Sequence, residues 1–332
     1  VGDEEAALAG DQPAFGRLVE PHRRELRLHC YRMVGSIEDS EDLVQETFLR
    51  AWRRRDTFEG RSTFRAWLYR IATNTCLDFL DRRPRRVLPY DVAPPADPDG
   101  PLPPSAGFSW LEPYPDRLLE SPAPREEEPD AVVVAREGVE LAFLAAIQHL
   151  PPRQRAVLIL RDVLEWSAAE TAGLLGTSQA SVKSALQRAR GTLRERLPAP
   201  GLEWTPDTDP SDQEEAVLRR YMEAHERRDP AALAAVLRED VRVSIPPSPL
   251  WSEGRDTFIA ASRKHAAPGE HRFLPTRANR QPALAIYVRP PGETRFRPVA
   301  LEVLRIEKGR VAEIVDFSQP ALFAAFGLPP SL

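Results

Sequence analysis

Between Asp11 and Arg83 apolar residues recur at intervals of three and four, the spacing that lines one face of an α-helix. Phe15, Leu18 and Val19 open the first stripe, and Leu26, Leu28, Cys30, Tyr31 and Val34 carry the next until Gly35 stops it. A helix is predicted from Ser36 to Arg53, with Asp39 or Ser40 as its cap and Val44, Phe48 and Trp52 turned inward. Another is predicted from Thr63 to Arg83, with Leu68, Ile71, Ala72, Thr75 and Phe79 as its core stripe. Helical spacing returns between Ala131 and Leu197 and ends in two helices joined by a tight turn. There Pro151 to Gln154 start one helix, Ser167 caps the next, Ala172 is small where helices cross, and Gly176 supplies the turn. Ser178 caps a last helix whose Val182, Ala185, Leu186 and Leu193 face inward.

After Ser211 the pattern changes. Two helices are predicted, Asp212 to Arg228 and Asp229 to Arg238, the second started by the Asp229-Pro230 pair. Strand patterns follow at Val241 to Ile245, Arg272 to Ala278, Ala283 to Arg289, Pro298 to Ile306 and Val311 to Phe317. Glu307-Lys308-Gly309-Arg310 reads as the hairpin turn between the last two. Helices followed by a curved antiparallel sheet make an α+β cone. The expected fold is therefore multidomain: two all-α modules and one α+β cone.

Composition supplies the boundaries. A chain of 332 residues is long for a single core. Prolines are dense between Arg83 and Asp130, which excludes regular helix and sheet there and favours extended chain. The expected domains are 11–83, a proline-rich linker at 84–130, 131–197, a second linker at 198–210, and 211–332. Within the first linker, Phe108 to Glu120 carries Trp110, Leu111, Tyr114, Leu118 and Leu119, too apolar for a solvated spacer. That segment packs on a neighbouring domain or binds a partner. No apolar run approaches the ~18 residues of a membrane helix, and the N-terminus lacks a signal-peptide pattern. A soluble, cytoplasmic protein without membrane partners is expected. Cys30 and Cys76 have apolar neighbours and read as buried thiols, and His29 beside Cys30 has no second cluster to complete a metal site. No cofactor is expected.

The formal net charge is −5, which does not exclude nucleic acid because binding depends on where charge sits. Lys183, Lys264 and Lys308 are the only lysines, so arginine carries nearly all the positive charge. Two neighbouring helices have opposite chemistry. The first presents Asp39, Asp42, Gln45, Glu46 and Leu49 in one arc, a face that suits a basic protein surface or simply water. The second sets Arg65, Trp67, Tyr69, Arg70 and Asn74 to one side; rings stack on unpaired bases while guanidinium groups hold phosphates. Trp67 reads equally well as core. The loop Phe58 to Arg61, with Gly60 permitting tight geometry, has the makings of a base pocket or of an ordinary turn. On the last helix of the second module, Ser178, Gln179, Ser181, Lys183, Ser184, Gln187, Arg188 and Arg190 point outward, where they can reach base edges and phosphates of duplex DNA.

The runs EDLVQETFLRAWRR, STFRAWLYRIATNTCLDFLDRR and LPPRQRAVLILRDVLEWSAAETAGLLGTSQASVKSALQRAR resemble regions 2 and 4 of an extracytoplasmic-function sigma factor of the sigma-70 family. The resemblance implies that Asp39, Asp42, Gln45, Glu46 and Leu49 meet the clamp helices of the largest subunit of core RNA polymerase, whose flap region is a further partner. It implies that Phe58 to Arg61 and the helix from Phe64 to Asn74 capture and melt the minus-10 element as single strands. Ser178 to Arg190 would read the minus-35 element as duplex. The last domain resembles the SnoaL-like branch of the nuclear transport factor 2 superfamily. Such cones often enclose a pocket, so a small-molecule ligand stays open; His271 and Asp316 would be the candidate bases, each without a visible partner. A regulatory, non-enzymatic cone fits better. The competing reading is a ligand-sensing helix-turn-helix repressor that binds DNA without polymerase, which leaves the first module without a purpose.

Overall fold

The computed structural model describes residues 2–60, 62–83, 85–96, 108–119, 139–196, 212–265 and 267–332. Arg61, parts of the proline-rich linker, the start of the second helical module and all of the second linker lie outside the described residues. The chain divides into two compact units, one from residues 1–86 and 121–205, the other from 87–120 and 206–332.

In the helical unit, α1 (Gly2–Leu8), α2 (Gln12–Val19), α3 (Arg23–Val34), α4 (Ile37–Arg53) and α5 (Phe64–Leu80) come first. They are followed by α6 (Leu141–Gln148), α7 (Pro152–Leu158), α8 (Ala168–Leu175) and α9 (Gln179–Arg196). The starts are set by side-chain caps that satisfy orphan amides of the first turn. Asp11 accepts from the Ala14 amide at 2.9 Å, and Thr63 from Ala66 at 3.2 Å. The cap of α4 is Ser36, whose Oγ accepts from Asp39 N at 3.2 Å, and not Asp39 or Ser40. Ser36 has the extended backbone that lets an oxygen reach forward, whereas the other two already lie in the first turn. Gly35 and Gly176 end α3 and α8 with φ of 71° and 61°, a region glycine enters without steric cost.

The two helical modules share one core. Leu26, Cys30, Tyr31, Met33, Val44, Leu68 and Ala72 are fully or almost fully buried, and α5 packs against α7 and α8 as well as against α3 and α4. At the junction sits Arg155 of α7, buried to 2% exposure. Its Nε donates to Ile147 O at 2.9 Å, its Nη1 to Gln148 Oε1 at 2.7 Å and its Nη2 to Gln148 O at 2.9 Å. Nη1 also donates to Met33 O on α3. Loss of water lowers its pKa to about 10, which leaves it charged at neutral pH.

The second unit holds α10 (Asp212–Glu226), α11 (Pro230–Val236), β1 (Leu237–Ser244), β2 (Trp251–Glu253), α12 (Arg255–His265), β3 (Glu270–Ala278), β4 (Gln281–Arg289), β5 (Arg297–Glu307), β6 (Arg310–Phe317) and α13 (Leu322–Ala325). The strands form one sheet in the order β2-β1-β6-β5-β4-β3. Only β1 and β6 pair in parallel, so the sheet is mixed rather than purely antiparallel. The helix predicted to reach Arg238 stops at Val236, because Leu237 already pairs with Val311 of β6. At the β5–β6 turn Lys308 and Gly309 both have positive φ, 50° and 74°, which matches the twist of a two-residue hairpin. Val217, Tyr221, Val241, Leu284, Leu304 and Ile314 build the core between helices and sheet.

The described part of residues 87–119 belongs to this unit. Tyr114 N donates to Asn279 Oδ1 at 2.7 Å and Asn279 N returns a bond to Tyr114 O at 2.8 Å. Asp116 accepts from Arg277 Nε at 3.0 Å and from Arg280 N at 2.8 Å. Trp110, Leu111 and Tyr114 are buried. Although proline excludes long elements here, Val87 and Trp110 form an isolated parallel bridge, and short 3-10 turns occur at Pro89–Asp91 and Asp116–Leu118.

Candidate polymerase and promoter interface

Ser36 fixes where α4 begins and hence which residues it turns outward. Asp42 and Gln45 are exposed, and Leu49 keeps 50% of its surface in water. It is an apolar side chain left in water within an acidic arc. Glu46 lies in the same arc but pairs with Arg50 Nε at 2.7 Å. Asp39 departs from the expectation. Its side chain is 14% exposed and is held by Arg86 at 2.5 Å, with Arg83 at 3.7 Å. An aspartate already neutralised by its own chain offers little to a partner.

The face of α5 is more divided than the helical spacing suggests. Arg70 and Asn74 are exposed, as a strand contact requires. Tyr69 is fully buried, which corrects its expected outward position, and its ring lies 5.3 Å from that of Trp166. Trp67 is 8% exposed and belongs to a cluster with Phe58 and Phe64, all three ring pairs 5.5 Å apart. Phe58 and Phe64 remain half-buried.

Glu25 of α3, which no motif marks, organises this face. Its Oε2 accepts from Arg65 Nε at 2.7 Å and from Tyr69 OH at 3.2 Å, and its Oε1 lies 2.7 Å from His22 Nδ1. Burial alone would raise its pKa, but the His22 bond and the Arg65 charge outweigh it and hold the carboxyl below the ordinary range. Arg65 also lies over the Tyr69 ring, 5.0 Å from its centre. Behind it, His29 Nε2 meets Thr73 Oγ1 at 2.9 Å, and burial, helped by Arg32 and Arg65, lowers the His29 pKa to about 3.

The turn between α8 and α9 presents the last helix outward. Ser167 and Glu170 exchange bonds of 3.1 and 2.7 Å to start α8. Ser178 accepts from Ser181 N at 3.1 Å and its Oγ lies 2.9 Å from Ser181 Oγ, so both serines serve the cap. Gln179, Lys183, Ser184, Gln187 and Arg188 are exposed in one row, with Arg188 donating to Ser184 at 2.6 Å. Arg190 is also exposed but grips Asp162 with two bonds of 2.8 Å.

Inside the sheet unit, Glu302 and Asp316 face each other across β5 and β6, and Tyr221 OH donates to Glu302 at 2.9 Å. Burial and the neighbouring Asp316 push the Glu302 pKa up to about 8, against the lowering effect of the Tyr221 bond. Asp316 is also raised by burial, while its bond from Ser318 opposes this. His271 is lowered by burial and by Arg228. Asp316 therefore has partners that its sequence context did not reveal. Cys30 and Cys76 are free and buried. Among the described residues, no cluster of three or more His, Cys, Asp or Glu could hold a metal ion, and no helix is long and apolar enough to cross a membrane.

Comparison with known sequences accounts for this arrangement. Profiles for Sigma-70 region 2, Sigma-70 region 4 and a SnoaL-like domain match residues 18–86, 140–193 and 218–314. The ECF RNA polymerase sigma factor SigG of Mycobacterium tuberculosis is 44% identical over 337 residues, covering 98% of this chain and 89% of that protein. The chain belongs to the extracytoplasmic-function sigma factors. Sigma factor SigW of Bacillus subtilis is 32% identical over 191 residues, which cover 57% of the chain and 91% of that protein. The crystal structure of Mycobacterium tuberculosis SigJ, at 22% identity, covers 92% of this chain and 97% of that one with a TM-score of 0.57, and shares the fold of the helical modules and the SnoaL-like domain. A free-standing repressor leaves the region 2 match unexplained and is not favoured.

Proposed function

We propose that this sigma factor docks on core RNA polymerase through the α4 arc and reads promoters with α5 and α9. Asp42, Gln45, Glu46 and Leu49 meet the clamp helices of the largest subunit, and the region 4 module meets the flap. The observation that carries the reading is the exposed Leu49 flanked by Asp42 and Gln45 on a helix whose other side is firmly packed. Charge speeds the encounter and the leucine supplies the dry contact. Asp39 sits at the edge of this surface, its charge shared with Arg86.

On DNA, the row from Gln179 to Arg188 enters the major groove at the minus-35 element and fixes register. Arg70 and Asn74 then hold the separated minus-10 strand, beside the half-buried Phe58 and Phe64 rings, against which a base can pack. Holding an unstacked base offsets the few kcal/mol that unstacking costs. The polymerase supplies the covalent chemistry, and the work is cytoplasmic. The SnoaL-like domain regulates the factor through the connector it holds, and its Glu302, Asp316 and Tyr221 cluster is where a small molecule would bear on it.

Reconstituted transcription tests the docking reading. Changing Asp42 and Glu46 together to Arg should lower affinity for core polymerase at least tenfold, to be measured by fluorescence titration, with helical content by circular dichroism unchanged. Undiminished affinity would remove these residues from the interface.

A further inference from the structure

The sheet unit carries two carboxylic acids on the side of the sheet that otherwise builds its apolar core. Leu304 and Ile314 lie in the core between helices and sheet, and because side chains alternate along a strand, Glu302 and Asp316, each two positions away, take the same side. The two are cross-strand partners. Tyr221 of α10 donates to Glu302 at 2.9 Å and Ser318 donates to Asp316 at 3.0 Å, so hydroxyls are what meets the pair. Among the described residues, no arginine or lysine bears on either carboxyl. Neighbouring like charges away from water resist ionising together, and the pair keeps a proton: burial above all pushes Glu302 up to about 8 and Asp316 to about 6. At neutral pH that leaves about one negative charge without a counter-ion.

A second observation on the same side points to a ligand that donates hydrogen bonds. His225, one turn after Tyr221 on α10, has its ring 4.5 Å from that of Tyr221 and 5.9 Å from that of Phe273. Its Nε2 is shut off from water and has no hydrogen-bond partner. Burial, helped by His271, lowers its pKa to about 4, so the ring is neutral and can offer the lone pair of that nitrogen. The neighbourhood is reached from solvent. Asp316 keeps part of its surface in water although β6 is a central strand, and so do Ile286 of β4 and Ile259 of α12. With Phe258 and Phe273 these isoleucines make an apolar approach that ends on acceptor atoms. A metal ion does not fit, since among the described residues no three such groups come together as a ligand set.

We propose that this domain binds an organic amine, a cation on an apolar body, whose ammonium group lies against Glu302 and Asp316 and donates to them and to His225 Nε2. The proposal rests on the reading given above, that a small molecule acts through this cluster. An ammonium group has three N–H donors and no acceptor, which matches three acceptors carried by α10, β5 and β6. Its charge lets both carboxyls ionise, so the second negative charge forms only with the cation beside it, and the displaced proton goes to solvent. Other charged groups stand further out. His271 is stacked beside Phe273 at 6.4 Å, its pKa lowered by burial and by Arg228, and Arg228 itself is exposed and donates to Gly269 O at 2.9 Å. Water and salt screen that arginine from the pair.

The full chain is titrated calorimetrically with 2-phenylethylamine, and with 2-phenylethanol and phenylacetate as neutral and anionic counterparts. The amine should bind about tenfold or more tightly than either. In buffers of different ionisation enthalpy it should release about one proton at pH 7, and its affinity should rise about tenfold from pH 6.5 to pH 7.5. Glu302→Gln imitates the protonated acid that the free protein already holds, so it should melt like wild type while amine binding weakens about tenfold and the proton release is lost. Asp316→Asn should weaken the amine in the same way and decides the matter if Glu302→Gln fails to fold. Equal or tighter binding of the alcohol or the acid overturns the proposal, as does an amine that does not bind, releases no proton or ignores both substitutions. Run-off transcription with reconstituted holoenzyme keeps the two claims apart. An amine that binds as described yet leaves transcription unchanged upholds the proposal and refutes the regulatory reading, whereas an alcohol that binds through Glu302 and alters transcription upholds that reading and overturns the cation.

Discussion

Glu25 shows how much of the α5 surface depends on one carboxylate. It is the shared acceptor for Arg65 and Tyr69 and the partner of His22. Glu25→Gln keeps the shape but removes the charge that Arg65 faces, and should cost about 1–3 kcal/mol in chemical denaturation at neutral pH. Because its folded pKa is depressed, that stability is present above the ordinary glutamate range and disappears as pH falls below it. His29 acts in the same direction over a higher window. Its folded pKa is about 3, so the unfolded chain takes up the proton first as pH falls below the ordinary histidine value of ~6.5, and stability drops by about 2 kcal/mol by pH 5. Denaturation midpoints of wild type and His29→Gln should therefore diverge less at pH 5 than at pH 7.5. Neither residue was legible in the sequence as important. Glu25 and Tyr69 are far apart along the chain, and helical spacing assigns a face without saying whether another helix covers it.

At the scale of elements, the sequence was more informative. Stripes such as Leu68, Ile71, Ala72 and Thr75 mark a buried side on any helix, and the serine caps with Gly176 define the helix-turn-helix from local chemistry alone. What local pattern missed was decided by pairing at a distance. Leu237 to Asp240 lack β-branched residues yet join the sheet because β6 lies beside them. Residues Arg255 to His265 have only Phe258 and Ile259 as large apolar groups, too few to signal the helix they form. The row on α9 yields a prediction that separates an arginine bonded to a neutral serine from one paired with a carboxylate. Arg188→Ala should weaken minus-35 binding and, if Arg188 meets a phosphate, reduce the salt slope by about 1. Arg190→Ala should act less on DNA, since its guanidinium is already committed to Asp162, and cost no more than about 1 kcal/mol of stability for an exposed pair. Titrating holoenzyme on promoter fragments at several salt concentrations distinguishes the two.

At the scale of the whole chain, the connector between the halves of the helical unit is itself part of the sheet unit. Deleting residues 211–332 is therefore a blunt test of regulation, because it would strip the cover from Trp110, Leu111 and Tyr114 and leave an aggregation-prone segment. Asp116→Ala is cleaner. It leaves Arg277 Nε and Arg280 N without their acceptor while the sheet itself is untouched, and an unpaired buried donor costs about 1–3 kcal/mol. The local opening of residues 110–119 should then become about tenfold or more frequent, read by hydrogen exchange of their amides. A connector released from the sheet gains reach, since each freed residue adds up to ~3.5 Å of extended chain. If the SnoaL-like domain regulates by holding that connector, the variant should tolerate a wider range of spacings between minus-35 and minus-10 elements in run-off transcription with reconstituted holoenzyme. Wild-type spacing preference in a variant whose amides exchange faster would show that the anchored connector does not set promoter choice.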